Sequence, residues 1–163
     1  MCVIAEAEEP NVRHCFPQEL SEDFVRAMIL GIHNEYFPGK PYDYDPDEWP
    51  RKLSQKAEAI LVPGGCLFGY CNDFLGRYSF ISYIGHKKSC VKGSGKLLHD
   101  EFLRLSRDRG MIGIRLEVLK DNHHAREFYD RLGYVVVDES RDKFLMELKL
   151  DERQDMLKSS TDK

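Results

Sequence analysis

The chain has 163 residues, 42% apolar and 32% charged, a length that suits one domain with a core needing neither disulfides nor a metal. A net charge of −4 argues against nucleic acid or an anionic membrane as partner, and the absence of any membrane-length apolar run or basic, apolar-cored leader predicts a cytoplasmic protein. Five cysteines (Cys2, Cys15, Cys66, Cys71, Cys90) without C-x-x-C spacing read as reduced thiols rather than as a disulfide frame or a zinc site.

Along the chain, Val12 to Phe16 is a short first strand. Pro17 to Phe37 carries helical spacing, with Leu20, Phe24, Ala27, Met28 and Ile32 three or four apart and Ser21 available as a cap. The stretch FPGKPYDYDPDEWP is a structured loop, followed by a short helix around Asp47 to Lys56. Ala59 to Pro63, Cys66 to Cys71 and Arg77 to Gly85 are three strands with turns at Gly64-Gly65 and at Asn72, Asp73 and Gly76, which predicts an antiparallel meander.

Lys96 to Arg109 spaces Leu98, Phe102 and Leu105 as a helix and is closed by Gly110. Met111 to Leu119 alternates Ile112, Ile114, Leu116 and Val118 as a strand, and His123 to Leu132 is a helix stopped by Gly133. Tyr134 to Val137 and Lys143 to Leu150 form a closing hairpin, and 151–163 is a polar tail without the means to order itself. This order implies an α/β (α+β) fold: one domain over 1–150 with a mixed, mostly antiparallel sheet of six to seven strands and helices on both faces.

The segment Ser89 to Phe102, SCVKGSGKLLHDEF, sets a glycine-rich, lysine-flanked loop directly before a helix. Bare backbone N–H groups and the positive end of a helix together make a seat for an anion. The phosphate loop of nucleoside triphosphatases is excluded: the position five before Gly95 is Cys90 rather than glycine, and Lys96 is followed by Leu97 rather than serine or threonine. About thirty residues later comes LEVLKDNHHAREFYDRLGY, in which Asn122, Ala125, Phe128, Tyr129, Leu132, Gly133 and Tyr134 keep fixed spacing from a strand end into a helix.

Together these two motifs resemble the GCN5-related N-acetyltransferases (the GNAT superfamily). The resemblance in element order covers about Val12 to Leu150, and the motifs lie within Tyr83 to Tyr134. It implies an acetyl-coenzyme A-dependent N-acetyltransferase acting on a primary amine of a small molecule or peptide, with no metal, as a monomer or homodimer. Val91, Lys92, Gly93, Ser94, Gly95 and Lys96 would cradle the pyrophosphate of coenzyme A. Ile84, Gly85 and His86 would offer backbone groups to the pantetheine and thioester, and Asn122, Ala125 and Tyr129 would flank them. The family's loop usually opens with arginine or glutamine where this chain has Cys90, so Lys92 or Lys96 would have to supply that charge. The alternative is a coenzyme A-binding or sensing module that transfers nothing.

Direct acetyl transfer needs a neutral amine, a stabilised thioester oxygen and a proton for the departing thiolate. Tyr129 matches the family position that gives that proton, with Phe128 assigned to the core. Glu117 lies in an L-E-V that resembles the ribosomal-protein alanine N-acetyltransferase branch (RimI-like), where a glutamate acts as general base through water; the other reading is a solvated strand carboxylate. Ser82 and Tyr83 would border the acceptor channel. Asp43 and Asp45, with Asp47 and Glu48, either recruit a cationic amine or cap the second helix. His86, His99, His123 and His124 read as capping or solvent-facing rather than catalytic.

Overall fold

The computed structural model describes residues 11–71 and 77–150. The order of elements matches the sequence expectation: β1 (Arg13–Cys15), α1 (Glu22–Tyr36), α2 (Glu48–Lys56), β2 (Glu58–Val62), β3 (Gly65–Tyr70), β4 (Tyr78–His86), α3 (Ser94–Asp108), β5 (Gly113–Leu119), α4 (His123–Leu132), β6 (Val135–Glu139) and β7 (Lys143–Lys149). The strands form one mixed sheet in the order β1-β2-β3-β4-β5-β7-β6. The turn read at Asn72, Asp73 and Gly76, and the polar tail, lie outside the described residues.

Two compact units share the chain. One comprises the described residues through Tyr70 with Ser82–Phe102, the other Cys71–Ile81 with those from Leu103 onward. In the first, β1 and β2 pair antiparallel, as do β2 and β3. Strands β2 and β3 are buried along almost their whole length, as central strands covered on both sides must be. Val25, Ile29 and Ile32 of α1 pack with Leu53 and Ala57, with Ala59 and Leu61, and with Cys66 and Phe68. Each such aliphatic side chain contributes about 1.5–3 kcal/mol relative to exposure.

The inward face of α1 agrees with the expected one in part: Ile32 is buried and Leu20 and Met28 pack beside the core, but Val25 and Ile29 lead the face in place of Phe24. Ser21 caps the helix, as expected, by accepting from the Phe24 N–H at 3.1 Å, and the helix proper starts at Glu22. Val25 and Ile29 share one helical stripe with Ile32 and face the core, while Phe24 is left 41% exposed.

In the second unit, β4 runs parallel to β5 over Tyr78–Ile81 against Gly113–Leu116, while β5 pairs antiparallel with β7, and β7 with β6. Ile114, Leu116 and Val118 are buried and Glu117 between them is exposed, the expected alternation. Ile112 departs from it. The strand opens only at Gly113, and Ile112 sits outside, its N–H donated to Arg77 and its carbonyl accepting from Leu150. Helix α4 ends as expected on Gly133, whose φ of 99° is the left-handed conformation of a helix stop. On β6, Val137 is extra: Val136 faces Met146 and Asp138 faces Leu145, which makes a bulge.

Candidate active site

The glycine-rich loop is built by a short series of backbone bonds. The Lys87 N–H donates to Gly64 at 2.8 Å, the Cys90 N–H to Lys87, and the Ser94 N–H to Val91, while Gly93 takes a φ of 91°. The Ser94 hydroxyl also donates to the Val91 carbonyl, so Ser94 is buried and spends both its donors inside the loop. Helix α3 starts at this residue, two earlier than the spacing suggested, and its first turn is closed by the Leu97 N–H donating to the Gly93 carbonyl at 3.0 Å.

Among the described residues, no acceptor takes the N–H of Lys92, Gly93 or Gly95. No acidic side chain stands in the first turn of α3, and the space beside Gly93 is open. Unpartnered donors at a positive helix end, free of competing carboxylates, fit a bound pyrophosphate.

The charges around this seat are not all available. Lys96 is tied to Asp100 at 2.8 Å, one turn along the helix. Cys90, where the family carries arginine or glutamine, turns away: its thiol donates to the Pro63 carbonyl at 3.2 Å and crowds Gly64. Of the two lysines expected to replace the missing charge, Lys92 is the one without a carboxylate among the described residues.

The end of β4 leads into this loop. Its ladder with β5 stops at Ile81, and Ser82–His86 continue half-buried without a β5 partner among the described residues. These are the backbone groups that the resemblance implies would meet the pantetheine. The Tyr83 ring lies along the strand over Gly85, so that a Cβ there would lie 2.5 Å from the Tyr83 hydroxyl and the ring would have to move aside. The His86 Nδ1 is 3.0 Å from the Lys87 carbonyl oxygen and 3.5 Å from the Tyr36 hydroxyl, and burial holds the Tyr36 phenol above its ordinary pKa.

In the second unit, Asn122 caps α4 by accepting from the Ala125 N–H at 3.2 Å, so two letters of the later motif are joined by a helix cap. Tyr129 is 8% exposed and packs edge-on to Phe128 and Tyr134, at 5.4 and 5.6 Å between ring centres. It is Tyr129, and not the half-buried Phe128, that takes the inward position on α4. Burial alone drives its phenol pKa well upward, so it carries its proton throughout the neutral range.

Glu117 stands on β5 in a groove of about 150 Å³ lined also by Asp138, Glu139, Ser140, Lys143 and Leu145, with the Lys143 ammonium 3.9 Å away. His123 and His124 are exposed at the start of α4, and His99 is buried within α3.

The acidic loop is largely occupied by its own folding. The Asp45 carboxylate accepts from the Asp47 and Glu48 N–H groups, both at 2.9 Å, which starts α2 and holds its pKa below the ordinary carboxylate value. Asp47 lies 3.5 Å from Arg26. Of the two acceptor carboxylates expected from the sequence, Asp45 is therefore a capping residue, and Asp43 alone keeps its charge outward. What sequence reasoning missed is the ring system beside it: His33, Tyr42, Tyr44, Trp49 and Tyr83 form a continuous series of contacts. The signal was present as Y-x-Y with a tryptophan five residues on, in a stretch read for its aspartates.

A model of the acetyltransferase (GNAT) family matches residues 26–134, from within α1 to the end of the later motif. The chain belongs to this family. Membership makes it an acetyltransferase whose acetyl donor is acetyl-coenzyme A. Among solved structures, this GNAT chain is similar to the PaiA N-acetyltransferase of Thermoplasma acidophilum, solved with coenzyme A, at 16% identity over 85% of this chain and 99% of that one, with a TM-score of 0.62. It is similar also to Tetrahymena GCN5, at 12% identity over 86% and 96% of the two chains and a TM-score of 0.64. Naa50 of Arabidopsis thaliana, solved with the bisubstrate analogue CoA-Ac-MVNAL, gives 16% identity over 85% and 99%, with a TM-score of 0.58. No curated protein sequence matches the chain. Among the described residues, no helix is long and apolar enough to cross a membrane, and no cluster of side chains suits a metal ion.

Proposed function

We propose that the protein is an N-acetyltransferase, its domain spanning 1–150, that moves the acetyl group of acetyl-coenzyme A to a primary amine by direct attack. The supporting observation is the open anion seat at Lys92, Gly93 and Gly95, placed directly after a strand end whose backbone has left β5. In this reading Val91–Lys96 hold the pyrophosphate, chiefly through main-chain donors. Ile84, Gly85 and His86 hold the pantetheine and polarise the thioester oxygen, and Asn122, Ala125 and Tyr129 keep the coenzyme A role that the family motif gives those positions. Ser82, Tyr83 and Asp43 border the acceptor.

One N–C bond forms and the C–S bond breaks. The amine proton passes to the Glu117 carboxylate through water, and the departing sulfur takes the Tyr129 proton. A phenol raised by burial is a reluctant acid, but a thiolate brought into the same dry surroundings becomes a stronger base for the same reason. Placement in the ribosomal-protein alanine branch rests on L-E-V and its spacing to Tyr129.

The test is thiol release from acetyl-coenzyme A over a panel of amines, alongside calorimetry of coenzyme A binding. Amine-dependent release is expected. Tight binding with no release for any amine would favour a module that holds coenzyme A without transferring acetyl groups.

A further inference from the structure

Loop 37–47 and its surroundings carry an array of rings of which the proposed function uses only Tyr83. His33 and Tyr42 stand 4.5 Å apart between ring centres, Tyr42 and Tyr44 5.5 Å, Tyr44 and Trp49 4.4 Å, and Trp49 meets Tyr83 edge-on at 5.7 Å. All five are partly buried. Tyr44, Trp49 and Tyr83 pack on the core formed by α1, α2, β2 and β3, so the array is fixed in place from behind. Its last member, Tyr83, lies over Gly85, within the strand end assigned above to the thioester. The Tyr44 hydroxyl is buried and has no hydrogen-bond partner among the described residues, a polar group left waiting inside an aromatic surface.

The carboxylates of the same loop do not make a polycation site. Asp45 is held by two backbone N–H groups, and Asp47 lies against Arg26, which also pairs with Glu22 and Asp23. That leaves Asp43 and, at the start of α2, Glu48 as the carboxylates without an ion pair among the described residues, beside five partly exposed rings. Ring faces accept flat and apolar groups, and add a modest attraction for one cation.

We propose that the acceptor is a singly charged primary amine carrying a flat or large apolar substituent, seated on Tyr42, Tyr44, Trp49 and Tyr83, rather than a polyamine. This rests on the acetyl-transfer reading for the direction of the amine, but not for the binding itself.

Trp49 is the only tryptophan in the chain, so its emission reports on this surface without any turnover. With the full chain and free coenzyme A, 2-phenylethylamine should change that emission saturably, with a midpoint at least tenfold lower than spermidine. Tyr42→Ala should raise the phenylethylamine midpoint about tenfold and Tyr42→Phe should restore it, with circular dichroism unchanged in both. An equal or lower midpoint for spermidine, no saturable change with phenylethylamine, or a midpoint indifferent to Tyr42→Ala would overturn the assignment.

The same amines in a thiol-release assay separate the two readings. Saturable emission change with no release by any amine would remove acetyl transfer and leave the aromatic seat standing. Release with spermidine alone would do the reverse.

Discussion

The glycine-rich loop and the helix that carries Tyr129 are built on opposite plans. In the proposed site the loop would work through backbone: its donors are main-chain N–H groups, Gly93 has no side chain, and Cys90, at the position where a charged or amide side chain is usual, faces elsewhere. In the proposed reaction the helix would work through one side chain, Tyr129, which lies between two aromatic rings and is raised in pKa by burial. A backbone site tolerates substitutions around it provided the conformation holds. A side-chain site tolerates almost none at the group itself, yet its neighbours can change if they keep it dry.

The largest effect should come from the side-chain site. Tyr129→Phe keeps the ring contacts and removes the proton, and turnover should fall by at least about 10²-fold if chemistry limits the rate, with coenzyme A affinity little changed. Glu117→Gln should also slow turnover near neutral pH, by up to about 10²-fold, but its defect should shrink as pH rises and the amine loses its own proton. Steady-state rates across a pH series decide both. A Tyr129→Phe enzyme with full turnover would remove the acid role, and a Glu117→Gln defect constant with pH would remove the base.

The backbone site predicts a smaller and more selective loss. Gly93→Val places a branched side chain at φ 91°, so coenzyme A should bind about tenfold more weakly, near 1.4 kcal/mol, by calorimetry. Cys90→Ala should leave affinity within about twofold, because the thiol already faces Pro63. A large loss from Cys90→Ala would mean that the loop depends on a side chain after all.

The two regions should also fail at opposite ends of the pH scale. His99, buried in the helix that follows the loop, has its pKa lowered by desolvation, so folding keeps it neutral. Its contribution is present above the unfolded value of 6.5 and is lost as pH falls below it. Tyr129 is raised instead. Its contribution is present below the unfolded value of 10.0 and is lost as pH rises beyond it. Thermal midpoints followed with pH should therefore fall on both sides, with His99→Phe flattening the acid limb only and Tyr129→Phe the alkaline limb only. An acid limb unchanged by His99→Phe would sink the first assignment.

Local patterns carried the fold well. Alternation in Ile114, Leu116 and Val118 and the glycines after α3 and α4 gave the order of all eleven elements, because each depends on neighbours within a turn or two of the chain. The inward face of α1 was only partly legible, because Phe24, Met28 and Ile32 and the neighbouring Val25, Ile29 and Ile32 both keep helical spacing, and packing against α2, β2 and β3 chooses between them. At the site, the loop and Tyr129 were legible as motifs. The stopping of the β4–β5 ladder at Ile81, the Tyr83 ring over Gly85 and the aromatic series from His33 to Tyr83 were not, since each joins residues far apart in sequence.

The extra residue at Val137 has a consequence for life in a crowded solution. Val135, Val136 and Val137 are 58%, 46% and 44% exposed on the outermost strand, an invitation for another chain to zip on. A straight ladder of donors and acceptors would accept that invitation. Val137 breaks the rhythm after two residues, and Asp138 and Glu139 charge what remains, so an incoming strand finds no continuous run to match. Solubility at this edge is written as an irregularity in hydrogen-bond spacing, and deleting Val137 would make the strand more regular and the protein stickier.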